Sequence, residues 1–267
     1  MNDLNEKTVL SIQELSIAFG GIKAVDNVSF EVNEGEIFGL IGPNGAGKPT
    51  VFNCITQFYK PNHGSIRFKS KQGKVVELTH HKSHEVIGFG LVRTFQNVEL
   101  IKELSILDNV LIGGHIDYKT GVVRQAFSTK TAKMEETVYR DQAIEILKFL
   151  GIVDRKDWLV YGLPYGILKK VELARTLMCN PKLIILDEPA AGLNDSETLD
   201  FANVIRTIRD QYHTSILLVE HDMRLVMDVC DRICAINFGK FLAVGSPQEI
   251  QRNKAVQAAY LGTEDAA

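Results

Sequence analysis

A glycine-rich stretch at residues 42–50 carries the residue types that bind phosphate groups. Largely apolar runs flank it at 37–41 and 51–55, so the pattern predicts a strand, a turn and the start of a helix. In this context glycines let backbone N–H groups point at an anion, the helix N-terminus adds partial positive charge, and a lysine adds a full one. We predict a nucleotide site formed by Gly42, Pro43, Asn44, Gly45, Ala46, Gly47, Lys48, Pro49 and Thr50.

The position after Lys48 departs from the usual phosphate-loop pattern. That pattern, G-x-x-x-x-G-K-[S/T], ends in a hydroxyl that binds Mg²⁺, whereas this chain has Pro49. Proline lacks both the hydroxyl and a backbone N–H, although the first turn of a helix tolerates it well. We therefore expect nucleotide binding with impaired turnover, by roughly two orders of magnitude if water cannot replace the lost ligand.

Two continuous apolar runs later in the chain each end in acidic residues. Such runs are typical of strands that are covered on both faces of a parallel sheet. Ligands of open α/β sheets bind at the carboxyl ends of the strands, so these residues are candidate catalytic groups. They are Asp187 and Glu188 after the run at 183–186, and Glu220, His221 and Asp222 after the run at 216–219.

Composition describes an ordinary globular protein of 267 residues, 45% of them hydrophobic and 24% charged. A formal net charge of −3 argues against a nucleic-acid partner. No apolar run approaches the ~20 residues that cross a bilayer, and the polar N-terminus does not resemble a signal peptide. The four cysteines are expected to be buried, reduced thiols: Cys54, Cys179, Cys230 and Cys234.

The first part of the chain is rich in predicted strands, and alternation at residues 9–19 and 24–32 predicts an antiparallel pair. Residues 96–160 change to helical spacing. Ser105 is a candidate N-cap there, and a long helix is expected at 130–149 with an apolar face of Val138, Ile144, Leu147 and Leu150.

The final part of the chain alternates strand and helix. Asn194 and Glu197 predict a capping box, and residues 232–244 predict a hairpin. The pattern as a whole indicates an α/β core with an N-terminal antiparallel β subdomain and an inserted helical subdomain. We expect the core at 1–95 and 161–267 and the helical part at 96–160.

Further motifs follow the phosphate loop in a fixed order. Arg-Thr-Phe-Gln at 93–96 resembles a Q-loop, Leu-Pro-Tyr-Gly at 163–166 a signature, the run ending in Asp-Glu-Pro at 187–189 a Walker B strand, and His221 a switch histidine. Over nearly its whole length the chain therefore resembles an ATPase subunit of an ABC transporter. The resemblance implies a P-loop NTPase (RecA-like) core.

Details within these motifs narrow the resemblance to the ATPases of branched-chain amino acid importers. The matching segments lie at 19–26, 93–97, 163–166, 191–194 and 259–262. Importers of urea and amides have similar ATPases, so these substrates remain open at the level of sequence.

The resemblance implies roles for individual residues. Phe19 would stack on adenine, with a core aromatic residue at a strand end as the alternative. Asp187 and Gln96 would hold Mg²⁺, Glu188 would be the general base, and His221 would contact the γ-phosphate. The signature would bind the nucleotide of a partner subunit through Leu163, Pro164, Tyr165 and Gly166.

The leading functional hypothesis is an ATP- and Mg²⁺-dependent ATPase that energises an importer. It would pair with a second ATPase subunit, as a homodimer or a heterodimer, and dock on integral-membrane permease subunits at the cytoplasmic face of the membrane. The alternatives are a degenerate nucleotide-binding subunit, suggested by Pro49, and an ABC ATPase that does not serve transport.

Overall fold

The computed structural model describes residues 4–94, 98–117 and 130–261. The chain divides into two compact units, one of residues 1–93 and 182–267 and the other of residues 94–181. The segment expected to be helical at 96–160 falls within the second unit. The signature residues at 163–166 belong to that unit as well.

Within the described residues of the first unit, ten strands form two sheets, an antiparallel one and a largely parallel one, as the sequence predicts. The four-stranded sheet is antiparallel in the order β2-β1-β4-β5, and the six-stranded sheet has the order β10-β9-β3-β8-β7-β6. The strands are β1 (Thr8–Phe19), β2 (Ile22–Asn33), β3 (Ile37–Ile41), β4 (His63–Lys69), β5 (Val75–Glu77), β6 (Leu91–Arg93), β7 (Leu183–Asp187), β8 (Ser215–Val219), β9 (Arg232–Asn237) and β10 (Lys240–Gly245).

The six-stranded sheet is parallel except at β10, which forms the predicted hairpin with β9. Every residue of β3, β7 and β8 is buried. This burial explains why these strands are continuous apolar runs and do not alternate. The predicted α/β fold class is confirmed.

Nine helices of the α type lie in the described part of the chain. They are α1 (Lys48–Ile55), α2 (Ser83–Gly88), α3 (Ile106–Gly113), α4 (Lys130–Phe149), α5 (Tyr165–Leu177), α6 (Asp195–Tyr212), α7 (Met223–Val229), α8 (Pro247–Arg252) and α9 (Lys254–Leu261). Helix α1 shares one apolar core with strands of both sheets, through Val51, Phe52, Cys54 and Ile55. The phosphate loop therefore leads into a helix that is fixed on two sides.

Predicted helix caps are present. The Asn194 side chain accepts a hydrogen bond from the Glu197 N–H, and the Glu197 carboxylate accepts one from the Asn194 N–H, both at 3.0 Å. Ser105 caps α3 by accepting from the Asp108 N–H. These bonds satisfy donors that the first turn of a helix leaves unpaired.

Helices α3, α4 and α5 pack together in the second unit. The apolar face predicted for α4 is partly wrong, because Val138 is 64% exposed. The buried stripe consists of Ala143, Ile146 and Leu147, and it continues to Leu150 directly after the helix. Val138 lies outside that stripe because each residue turns the helix by about 100°.

All four cysteines are buried and free, as the sequence predicted. No helix within the described residues is long and apolar enough to cross a membrane.

Candidate functional site

The candidate site lies at the carboxyl ends of neighbouring parallel strands. Strands β3, β8, β7 and β6 are adjacent in that order, and each pair is parallel. This arrangement brings four segments of the chain to one edge of the sheet. They are the loop at 42–50 after β3, Glu220 and His221 after β8, Asp187 and Glu188 at the end of β7, and Arg93 at the end of β6.

Two glycines of the loop are required by their surroundings. A Cβ on Gly42 would lie 2.3 Å from the Ile236 carbonyl oxygen, and one on Gly47 would lie 2.7 Å from the Ala24 carbonyl oxygen. Gly47 also has φ of 97° where it precedes α1, a conformation that other residues rarely adopt. The loop therefore reaches its shape only with glycine at these positions.

A turn outside the loop supports it through backbone hydrogen bonds. The Gly239 N–H, in the turn between β9 and β10, donates to the Ala46 carbonyl at 2.9 Å. The Gly239 carbonyl accepts from the Asp26 N–H at 2.8 Å, which connects the same turn to β2. This supporting role of Gly239 was not predicted from the sequence.

Lys48 is only 5% exposed and is the first residue of α1. Its Nζ donates to the carbonyl oxygens of Gly42, at 2.5 Å, and Pro43, at 3.2 Å. Burial lowers the pKa of Lys48, and the charges of neighbouring carboxylates oppose that shift. Those carboxylates belong to Glu188, Asp187 and Glu220.

Pro49 and Thr50 follow Lys48 in the first turn of α1. Pro49 is exposed and Thr50 is half-buried. At this position Pro49 displaces no internal helical hydrogen bond, because the first N–H groups of a helix have no intrahelical partner. The helix consequently forms with proline in place of the usual hydroxyl residue.

Glu188 and His221 lie beside each other at the ends of β7 and β8. Glu188 Oε1 is 3.7 Å from His221 Nδ1, with the Glu188 side chain 25% exposed and the His221 side chain 59% exposed. The Glu188 N–H donates to the Val219 carbonyl at 2.8 Å, and its φ is 46°. A left-handed backbone at a non-glycine residue is strained, and such strain is concentrated at functional sites.

Glu220 is fully buried and holds these two strand ends together. Its Oε1 accepts from the Ala190 N–H at 2.9 Å, while Oε2 accepts from the N–H groups of His221, at 2.9 Å, and Asp222, at 3.2 Å. The sequence placed Glu220 at a strand end but did not reveal this structural role. A carboxylate directly after a fully apolar strand was the available signal.

Asp187 is 7% exposed and forms an ion pair with Arg93 at 2.8 Å, between Oδ2 and Nη2. The sequence predicts no separate role for Arg93, which begins the segment that leads to Gln96. Gln96 itself lies outside the described residues.

Phe19 ends β1 and is 46% exposed, so it does not lie in the core. Its ring meets Tyr59 edge to face, with centroids 5.3 Å apart and an interplanar angle of 72°. The Asn62 side chain accepts a hydrogen bond from the Ala18 N–H at 2.7 Å and fixes the chain next to Phe19. Phe19 is thus an exposed aromatic ring with a rigid support.

The signature residues begin α5 in the second unit. Pro164 occupies the N-cap position, Tyr165 is 38% exposed, and both Leu163 and Gly166 are half-buried. Lys169 is buried one turn later, with Nζ 5.5 Å from the centroid of the Tyr165 ring.

The C-terminal helix also reaches the phosphate loop. Burial raises the pKa of Tyr260, on α9, to about 12, and the backbone of Gly42 opposes this shift. In the sequence, Tyr260 is part of the segment 259–262 that resembles the ATPases of branched-chain amino acid importers.

Comparison with known proteins agrees with this geometry. A family model for ABC transporters matches residues 25–191. The chain belongs to the ABC transporter family. A second model, for branched-chain amino acid ATP-binding cassette transporters, matches residues 242–266 of this ABC protein, the region that contains Tyr260.

Relatives of this ABC protein match it from end to end. It is 41% identical to the high-affinity branched-chain amino acid transport ATP-binding protein LivG of Salmonella typhimurium, over 95% of this chain and 98% of the relative. It is 39% identical to BraF of Pseudomonas aeruginosa, which has the same description, over 96% of this chain and 98% of the relative.

Solved structures show the same fold. The ADP conformation of an ATP-binding cassette of an ABC transporter has a TM-score of 0.80 and 31% identity, covering 96% of this chain and 99% of that one. A nucleotide-free ATP-binding cassette has a TM-score of 0.79 and 32% identity, covering 95% and 98%. The chain is an ATP-binding protein of a family that hydrolyses ATP.

Replacing Glu220 by Gln should destabilise this ABC protein by about 2–3 kcal/mol, because the amide nitrogen replaces an oxygen that accepts from backbone N–H groups. The control is Glu249→Gln. Glu249 accepts from the Ser246 N–H in an exposed capping box, where glutamine is equally suitable. Urea unfolding of both variants checks this expectation, and equal unfolding free energies would contradict it.

Proposed function

We propose that this chain is the ATPase subunit of an importer for branched-chain amino acids. The observation that carries the proposal is the environment of Lys48. A buried lysine in a glycine-rich loop, under the electrostatic influence of three carboxylates at adjacent strand ends, is suited to binding and cleaving a nucleoside triphosphate. The end-to-end similarity to transport ATP-binding proteins favours a transporter subunit over an ATPase that does not serve transport.

In this proposal the nucleotide binds along the edge of the sheet. Phe19 stacks on the adenine ring, and the phosphates lie in the loop from Gly42 to Thr50. The N–H groups of Asn44, Gly45, Ala46 and Gly47 donate to phosphate oxygens. Lys48 donates to two loop carbonyls without nucleotide, and in this proposal it exchanges them for the β- and γ-phosphates.

The residues present are compatible with Mg²⁺ that arrives with the nucleotide. Mg²⁺ in such sites is held by one or two carboxylates together with substrate phosphates and water. Asp187 supplies a carboxylate of this kind, and Gln96 is the second candidate, whereas the side chain of Pro49 carries no oxygen. When bound, the metal would neutralise charge that develops on the phosphate oxygens.

Catalysis in this proposal depends on Glu188 as the general base. Its carboxylate is partly exposed beside His221, so it can reach a water molecule. His221 would hydrogen-bond the γ-phosphate and orient that group. The backbone of Glu188 is left-handed, with φ of 46°, and strained conformations of this kind are concentrated at functional sites.

The working assembly in this proposal contains two ATPase subunits on a membrane permease. Leu163, Pro164, Tyr165 and Gly166 would contact the nucleotide of the second subunit, and the unit at 94–181 would provide the permease contact. The protein would then lie at the cytoplasmic face of the membrane. Urea or an amide is the alternative substrate.

Replacing Pro49 by Thr should raise the ATPase rate of the purified protein by about one to two orders of magnitude, because a hydroxyl ligand for Mg²⁺ is restored. Pro49→Ala is the matched control, since alanine restores the backbone N–H without the hydroxyl. Steady-state phosphate release measures both rates.

The outcome also decides between an active and a degenerate subunit. A low rate in the unmodified chain, with recovery in Pro49→Thr and little in Pro49→Ala, would support the impairment. Equal and robust rates in all three proteins would contradict it.

Deleting the gene that encodes this chain should abolish most high-affinity uptake of radiolabelled leucine. Complementation with the intact gene should restore this uptake. Uptake of urea and short amides, measured in parallel, is the control for substrate class. Unchanged leucine uptake with loss of urea or amide uptake would contradict the assignment. Loss of neither would contradict a role in these importers.

A further inference from the structure

The guanidinium group of Arg93 connects two parts of the site that are distant in sequence. Nη2 donates to Asp187 Oδ2 at 2.8 Å, and Nη1 donates to Asn53 Oδ1 at 2.6 Å. Asn53 belongs to α1, the helix that continues the phosphate loop, whereas Asp187 ends β7. One planar group thus links the phosphate-loop helix to the acidic strand end.

The surroundings of Arg93 restrict its movement. Its guanidinium carbon lies 4.1 Å from the centroid of the Phe52 ring. The side chains of Arg93 and Asp187 are only 12% and 10% exposed. A planar fork that is stacked on an aromatic ring and bonded at two nitrogens holds a carboxylate far more rigidly than an exposed lysine would.

Pro49 makes this support more important. Its side chain has no polar atom, so this position of the loop cannot help to orient a metal ligand. Orientation of the Asp187 carboxylate therefore depends on contacts from other elements, and Arg93 provides a short one.

We propose that Arg93 is a positioning residue for Asp187. It holds the carboxylate in one orientation against α1, so that the metal ligand is already in place when Mg²⁺ and the nucleotide arrive. This role rests on the proposed function, because it requires Asp187 to serve as the metal ligand. Preorganised ligands avoid an ordering cost on binding.

The two possible roles of Arg93, positioning Asp187 or only supplying positive charge, predict opposite effects on nucleotide binding. If Arg93 acted only through its positive charge, its loss would weaken binding of metal-free ATP more than binding of Mg-ATP, since metal-free ATP is more negative. If Arg93 positions Asp187, its loss reduces the gain in affinity that Mg²⁺ provides. Metal-free binding then changes little.

The test measures the affinity of the full chain for a fluorescent ATP analogue, once with Mg²⁺ and once with EDTA. The dissociation constant in EDTA divided by the dissociation constant in Mg²⁺ gives the gain in affinity that the metal provides. We expect this ratio to fall about tenfold in both Arg93→Met and Arg93→Lys, because lysine keeps the charge but lacks the planar fork. Asn53→Ala removes the second anchor and should lower the ratio less, in the same direction.

Arg232→Met is the matched control. Arg232 also ion-pairs with a carboxylate, Glu36, at 3.2 Å, and its guanidinium carbon lies 5.4 Å from the centroid of the Phe38 ring. It begins β9 and so lies away from the strand ends that form the site. Its loss should leave the ratio unchanged. Melting temperatures of all variants confirm that each is folded.

An unchanged or increased ratio in Arg93→Met would overturn the proposal, as would a normal ratio in Arg93→Lys. A folded Arg93→Met protein that loses metal-free binding would also overturn it. If neither Arg93 variant folds, Asn53→Ala decides: a lowered ratio supports the proposal and a normal one overturns it. A failure of the proposed function gives a different result from a failure of this proposal, because the unmodified chain would then bind the nucleotide neither with Mg²⁺ nor with EDTA.

Discussion

The rest of the site depends on the contacts between the buried ammonium group of Lys48 and the oxygen atoms around it. A positive charge that is 5% exposed is costly unless oxygen atoms surround it. The loop provides two carbonyl oxygens, and the strand ends provide the charges of Glu188, Asp187 and Glu220. The shape of the loop and the order of the strands together bring these groups to one lysine.

Several elements keep that arrangement fixed before any nucleotide binds. Gly42 and Gly47 allow close backbone approach, and the turn at Gly239 supports the loop from the side. Glu220 accepts three charge-assisted hydrogen bonds, one from the segment after β7 and two from its own segment after β8, and so connects the two segments. Because the backbone of the site is already ordered, phosphate binding carries little cost in conformational entropy.

Much of the fold could be predicted because its signals are local. Apolar runs predicted the buried strands, alternation predicted the antiparallel pair, and Asn194 with Glu197 predicted a capping box. Val138 was wrongly assigned to a buried face, because α4 packs through a stripe displaced from it. Spacing alone does not determine which of two adjacent stripes a neighbouring helix will cover.

The chemically active residues were easier to find than the residues that support them. Lys48, Asp187, Glu188 and His221 belong to short motifs. Glu220 contacts Ala190, Arg93 contacts Asp187, and Gly239 contacts Ala46, and each of these pairs is distant in sequence. Such contacts appear only once the strands are ordered in the sheet.

We propose that Lys48 and its loop form the nucleotide site. Equilibrium binding of ATP to Lys48→Met tests this role. Lys169→Met is the control, because Lys169 is also a buried lysine but lies within α5, one turn after the signature residues. We expect Lys48→Met to lose at least about tenfold in affinity, equivalent to about 1.4 kcal/mol, and Lys169→Met to bind normally. Unchanged affinity in a folded Lys48→Met protein would contradict it.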